Sequence, residues 1–178
     1  MKRVAMFEKV SFKQFKKDWI NTFGENWLSD MFSHIENLEE IYDNIKLPKR
    51  ATAGSSGFDI FSPIEITLEP NETIKLPTGV RCYIEEGWTL LIFPRSSHGF
   101  KYRLQLDNSI PIIDQDYYYS DNEGHIILKL TNDTKQDKTF YIDAGKGLVQ
   151  GMFIQFGITM DDIVSEIRNG GWGSTDKK

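Results

Sequence analysis

From Pro48 onward the chain breaks into short apolar runs, with turn signals every eight to twelve residues. The runs are 58–62, 64–68, 73–76, 80–84, 89–93, 126–130, 139–142 and 148–156. Pro70-Asn71, Pro77-Thr78-Gly79, Glu86-Gly87, Asn132-Asp133 and Gly145-Lys146-Gly147 separate them. With no helical periodicity between them, such runs must pair with one another. This predicts a mainly β chain, a barrel or double-sheet jelly roll.

The first part of the chain has a different texture. Residues 2–10 predict a short first strand, and Ser11 is placed to cap a helix. Phe12, Phe15, Trp19 and Phe23 then recur at helical spacing up to Gly24, a C-cap. A second helix is predicted over 27–45, with Met31, Phe32, Ile35, Leu38, Ile41 and Tyr42 on one side. Its acidic face, Glu36, Glu39, Glu40 and Asp43, reads as solvated surface. The aromatic stripe reads as packing against the body of the protein, with a docking surface for a protein partner as the alternative. His34, at its edge, has no neighbour at metal-ligand spacing. Segment 11–45 is thus a helical insertion near the N-terminus of a β domain.

The 178 residues suffice for one core. A net charge of −5 supplies no general attraction for nucleic acid or an anionic membrane. No apolar run approaches the ~20 residues of a membrane helix, and MKRVAMFEKV lacks the apolar centre of a signal peptide. The single cysteine, Cys82, sits in the apolar run VRCYI, predicting a buried inert thiol and suiting a reducing cytoplasm.

Five stretches interrupt this pattern with reactive side chains. AGSSGFDIF places small residues before Asp59. PRSSHGF makes Arg95, Ser96 and Ser97 emerge at a strand end, a set suited to cradling phosphate. DNSIPIIDQDYYY sets Asp114 between Ile113 and a tyrosine run, where a carboxylate must be paired, hydrogen-bonded or used. GKGLVQG puts Gln150 on a strand, and RNGGWGST joins Arg168 to Trp172 and two hydroxyls. Each also has a plain reading: Asp114 as a turn cap, the Gly-Ser clusters as turns, Gln150 as surface, the tail as a loose end.

In order and content the five stretches resemble the motifs of the homotrimeric dUTP diphosphatase (dUTPase) family, from LPKRATAGSSGFDIFSP through PRSSHGF, IIDQDYY and GLVQGMF to RNGGWGST. The resemblance implies a jelly-roll or distorted-barrel subunit, with one β domain over 1–160 and a C-terminal arm over 161–178. It implies a homotrimer with three shared sites. The first, second and fourth motifs would come from one subunit, the third from a neighbour, and the arm from another. The implied reaction is hydrolysis of dUTP to dUMP and diphosphate, assisted by Mg²⁺ held on the phosphates.

Residue by residue, Asp114 matches the general base that activates water against the α-phosphorus. Tyr117 matches the ring packed under the deoxyribose, leaving no room for a 2′-hydroxyl. Asn108 and Ile113 fall among the hairpin positions that contact substrate, with main-chain groups reading uracil. Arg95, Ser96, Ser97 and Gln150 match phosphate ligands, and Asp59 an acid that meets the metal through water. In the arm, Arg168 matches a γ-phosphate partner. Trp172 replaces the usual phenylalanine stacked on uracil. Gly173, Ser174 and Thr175 complete the terminal-phosphate contacts.

The sequence also departs from the family pattern. Pro111 stands where a glycine is usual and removes a backbone donor. The third-motif hairpin is longer, running through 118–123 before Gly124. His98 replaces an apolar residue and is expected at the surface, with a phosphate-side cation as the alternative. No arginine precedes Gln150, and Lys146 is the nearby charge. Two alternatives share the fold: a dCTP deaminase, alone or bifunctional, and a nucleotide-dependent regulator acting through 11–45. The deaminase reading lacks its arginine soon after RSS and its hairpin glutamate before Asp114.

Overall fold

The computed structural model describes residues 2–24 and 38–165. The chain runs as β1 (Ala5–Lys9), α1 (Phe12–Phe23), α2 (Leu38–Asp43), β2 (Lys49–Arg50), β3 (Phe58–Phe61), β4 (Ile66–Leu68), β5 (Thr73–Pro77) and β6 (Val80–Ile84). It continues through β7 (Trp88–Pro94), α3 (Ser96–Tyr102), β8 (Leu104–Leu106), β9 (Ile112–Ile113), a 3₁₀ turn (Gln115–Tyr119), β10 (Ile127–Asn132), β11 (Phe140–Ile142) and β12 (Gly147–Gln155). The antiparallel strands form a five-stranded sheet β2-β3-β12-β7-β9, a three-stranded sheet β5-β10-β8, and the pairs β1-β6 and β11-β4. This is the mainly β, jelly-roll arrangement expected from the strand pattern. No described helix is long and apolar enough to cross a membrane.

Alternation decides which side chains enter the core. In β4, β8 and β11 the outer residues are buried and the middle one is exposed. Leu90 and Ile92 of β7 and Leu148 and Val149 of β12 are fully buried, because these strands lie inside the largest sheet. Cys82 is buried as expected, and that burial pushes its thiol far above the ordinary range.

The first helix forms where the capping signals put it. The Ser11 hydroxyl accepts the Gln14 N–H at 3.1 Å, and the Gly24 N–H closes the far end on the Ile20 carbonyl. Phe15 and Trp19 are buried in the common core, as the helical spacing of that segment requires. Burying Phe15 alone is worth about 1.5–3 kcal/mol. Of the second predicted helix only 38–43 is seen, with Leu38 and Ile41 inward and Glu39 and Glu40 outward. The remainder of that helix, His34 included, lies outside the described residues.

Candidate active site

Strand β7 ends at Pro94, which lacks an N–H and cannot extend the ladder. Arg95 follows and turns the chain into α3. Its Nε lies 3.0 Å from Asp59 Oδ1 on β3, and its Nη1 donates to the Gly147 carbonyl at 3.1 Å. With both groups partly exposed, this ion pair adds at most about 1 kcal/mol of stability. Its consequence is orientation, since two strands grip one guanidinium.

Around that guanidinium lies a cleft of about 230 Å³, lined by Ala51, Ser55, Gly57, Asp59, Arg95, Ser96, Ser97 and Gln150. Gln150 faces Asp59 across the β12–β3 register and donates from Nε2 to the Pro94 carbonyl at 3.3 Å. A Cβ at Gly57 would stand 2.8 Å from Gln150 Oε1, so the first stretch must pass the carboxamide with no side chain. Ser96 and Ser97 are exposed in the first turn of α3, where no side-chain cap takes up the helix N–H groups. The sequence-predicted residues Asp59, Arg95, Ser96, Ser97 and Gln150 thus come together. Ala51, Ser55 and Gly57 complete the lining; no signal of their own marks them in the sequence, only their place in and beside the stretch 53–61.

The expected surface histidine is turned inward instead. His98 donates from Nδ1 to the Leu148 carbonyl at 3.0 Å and meets the edge of Phe140 at 5.2 Å. Burial holds its pKa below the ordinary value, so it ties α3 to β12 as a neutral ring. Lys146 is exposed beside the turn into β12 and is not among the cleft residues.

The third stretch lies elsewhere. Strand β9 pairs with β7 through Ile113↔Leu90 and Ile112↔Leu91, which puts Asp114 near Thr89. Asp114 is half-buried at the head of the 3₁₀ turn, and its side chain makes no capping bond there. The turn-cap reading is therefore set aside. Asn108 is exposed and Ile113 half-buried. Neighbouring Asp107 is structural: burial pushes its carboxyl up, but bonds from Thr131 and Lys129 bring it below the usual range. Pro111 is buried, and its carbonyl accepts the Ile92 N–H at 3.1 Å. Tyr117 is only 6% exposed; its hydroxyl donates to the His125 carbonyl at 2.8 Å and accepts from Asn122 Nδ2 at 2.7 Å. None of these residues lines the cleft. Arg168, Trp172, Gly173, Ser174 and Thr175 lie outside the described residues.

Comparison with known proteins adds a family to this geometry. A family model described as dUTPase matches residues 43–175. The deoxyuridine 5'-triphosphate nucleotidohydrolase of Lactococcus lactis subsp. lactis is 40% identical over 134 residues, covering 74% of this chain and 88% of that protein. The same-named protein of Glaesserella parasuis is 34% identical over 140 residues, covering 74% and 88%. Among solved structures, a dUTPase from Streptococcus mutans matches with a TM-score of 0.57 at 39% identity, over 66% of this chain and 90% of that one. A dUTPase variant from phage phi11 of S. aureus, described with a structural Mg(II) ion, has a TM-score of 0.55 over 70% and 92%. At 23% identity it speaks for the fold alone.

Proposed function

Because the chain belongs to the dUTPase family, we infer that it hydrolyses dUTP to dUMP and diphosphate. The observation that carries this reading is the cleft in which Arg95, Ser96, Ser97, Asp59 and Gln150 converge. It offers hydroxyl, amide and guanidinium donors at one strand end, as an extended phosphate chain requires. Asp114 takes a proton from water. The resulting hydroxide attacks the α-phosphorus, the bond to the bridging oxygen breaks, and diphosphate leaves. Tyr117 forms the wall below the sugar, held from behind by its hydroxyl. Arg168, Trp172, Gly173, Ser174 and Thr175 supply the closing contacts from the arm.

Within the cleft Arg95 is already matched by Asp59, so the cleft side chains bring no surplus positive charge to a triphosphate. Among the described residues no cluster of three His, Cys, Asp or Glu could cage a metal ion. One carboxylate beside serine and amide oxygens instead fits Mg²⁺ that would arrive on the phosphates, with Asp59 the residue that would hold it through water. When bound, the ion offsets charge on the phosphate oxygens.

The register of the large sheet supports a site shared between copies. Asp114 stands level with Thr89, whereas Gln150 pairs with Phe93 and Arg95 lies beyond the end of β7. At ~3.3 Å per residue, Asp114 is about 13–20 Å along the strand from these groups. That separation favours a site in which a neighbouring subunit supplies the Asp114 for this cleft, as in a homotrimer. The chain acts in the cytoplasm, with the nucleotide pool. Segment 11–45 is the proposed surface for a protein partner, though not through Phe15 and Trp19, which are in the core.

The first test is diphosphate release with Mg²⁺ across dUTP, dCTP, dTTP and UTP. Turnover confined to dUTP is expected; rapid ammonia release from dCTP would replace this reading with the deaminase. The second test is complementation. Asp114→Asn and Arg95→Ala, each inactive, are unfolded and refolded together. Sites pairing an intact cleft with an intact Asp114 form with probability one half times one half, so about a quarter of full activity returns. No recovery would exclude the shared site.

A further inference from the structure

Residues 2–24 precede the range matched by the family model, yet they grip the segment after Asp114 at three places. Tyr118 Oη donates to Glu8 Oε2 at 2.5 Å. Glu123 accepts both the Ser11 N–H, at 2.7 Å, and the Ser11 hydroxyl, at 2.6 Å. The third contact is the deepest: His125, fully buried, lies with Nδ1 2.6 Å from Asp18 Oδ2.

The hydrogen bonds settle the tautomer of that histidine. The Gly79 N–H donates to Nε2 at 2.8 Å, so Nε2 is the acceptor. Nδ1 therefore carries the proton and donates it to Asp18. Asp18 is steadied in turn by Gln14, which donates to the same oxygen at 2.8 Å. The imidazole is fixed from two sides, by α1 and by the turn between β5 and β6.

The main chain of His125 completes the connection. Its carbonyl accepts the Tyr117 hydroxyl, while Asn122 donates to that hydroxyl from the other side. The long hairpin is thus a fold-back: it leaves the 3₁₀ turn, reverses at Glu123-Gly124, and returns a carbonyl to the ring it started from. An aromatic ring three residues after Asp114 is thus linked, through His125, to helix α1.

We propose that Asp18 and His125 are positioning residues of the dUTPase reaction: through them α1 sets the place of Tyr117 and, with it, of Asp114. This rests on the reading above that Asp114 is the general base and Tyr117 the sugar wall. Neither Asp18 nor His125 touches substrate. Removing the Asp18 carboxylate strands a buried N–H, which must find a partner by moving the ring and the chain that bears it. Displacements of about 1 Å at a reacting group can cost ~10²-fold in rate.

The experiment has a kinetic arm and an exchange arm. Asp18→Ala is expected to lower kcat per site roughly 10- to 100-fold and to leave the dUTP KM within about threefold. Asp18→Asn, which still offers an oxygen to Nδ1–H, restores most of kcat. In Asp18→Ala/Tyr117→Phe the two losses do not multiply, because both pass through one hydroxyl. In the exchange arm, amides of 115–125 exchange at least about tenfold faster in Asp18→Ala, while those of β7 and β12 keep their protection.

Unchanged exchange in 115–125 overturns the proposal whatever the activity. So do faster exchange with unaltered kcat, a loss confined to KM, or multiplying losses in the double variant. If Asp18→Ala does not fold, Tyr117→Phe alone decides, since it removes only the linking hydroxyl: the same kcat loss and faster exchange support the proposal, and wild-type kcat refutes it. A wild-type protein inert toward dUTP would sink the functional reading instead, and the exchange arm would still report on the brace.

Discussion

Gly124 and Gly87 form a matched pair for testing how tightly the fold-back is built. Both sit in the left-handed region, at φ +69° and +78°. A Cβ at Gly87 would meet nothing within 4 Å, whereas one at Gly124 would stand 2.7 Å from Tyr118 Cα and 2.8 Å from the Tyr117 carbonyl oxygen. Alanine in this region costs about 1–2 kcal/mol, partly offset by ~0.4–1 kcal/mol from a less flexible unfolded chain. Gly87→Ala should therefore lose about 1 kcal/mol. Gly124→Ala carries the same term plus overpacking against main chain that cannot swing aside, ~1–3 kcal/mol more. The total is about 2–4 kcal/mol. At ~2–4 °C per kcal/mol for a chain of this size, that lowers the melting temperature by about 5–15 °C. Thermal and urea unfolding at one protomer concentration measure both variants. Equal losses would refute the steric argument, since backbone conformation alone would then account for Gly124.

Three other changes probe the site. Asp114→Asn should cut turnover roughly 10²- to 10⁴-fold while dUTP still binds; matching losses in turnover and binding would argue against a general base. Gly57→Ala pushes the Gln150 carboxamide out of the cleft at the expense of one long hydrogen bond. The dUTP KM should rise with stability held within about 1 kcal/mol, and an unchanged KM would remove Gln150 from the phosphate contacts. Acid titration tests Asp18, whose carboxyl is pushed up by burial but brought below its ordinary 3.8 by bonds from His125 and Gln14. A lowered folded pKa means the stabilisation is fully present above the unfolded value and is lost as pH falls through 3.8 toward the folded one. Asp18→Asn should flatten that acid limb in urea unfolding between about pH 5 and pH 2, and an unaltered slope would contradict the assignment.

What could be read from the sequence depended on whether its cause was local. Strand β6 is expected over 80–84 and found there, because the inward alternation of Val80, Cys82 and Ile84 is written in the run itself. The cap at Ser11 was equally legible, its partner being three residues away. Helix α3 was not: RSSHGFKY carries serines and a glycine, poor helix formers. Its inner side is instead settled by His98 and Tyr102 packing on Phe140, about forty residues on. Strand β8 is three residues long and exists by pairing with β10. His125 gave no signal, since Asp18 lies 107 residues away. The resemblance named Asp59, Arg95, Ser96, Ser97 and Gln150 together, and strand register explains how they meet, with Asp59, Gln150 and Phe93 abreast on three neighbouring strands.

The proposed shared site also sets which cleft the N-terminal helix would serve. β9 pairs near the start of β7 and the cleft opens beyond its end, so in the proposed shared site Asp114 serves a neighbour's cleft. The brace proposed at Asp18 and His125 would then act on the subunit that donates Asp114, and on a nucleotide held in another subunit's cleft. A trimer holding one Asp18→Ala chain among two intact ones should lose the function of one site out of three. The impaired site would be the one whose phosphates rest on an unaltered neighbour, because in this reading α1 sets the reacting carboxylate of its own chain.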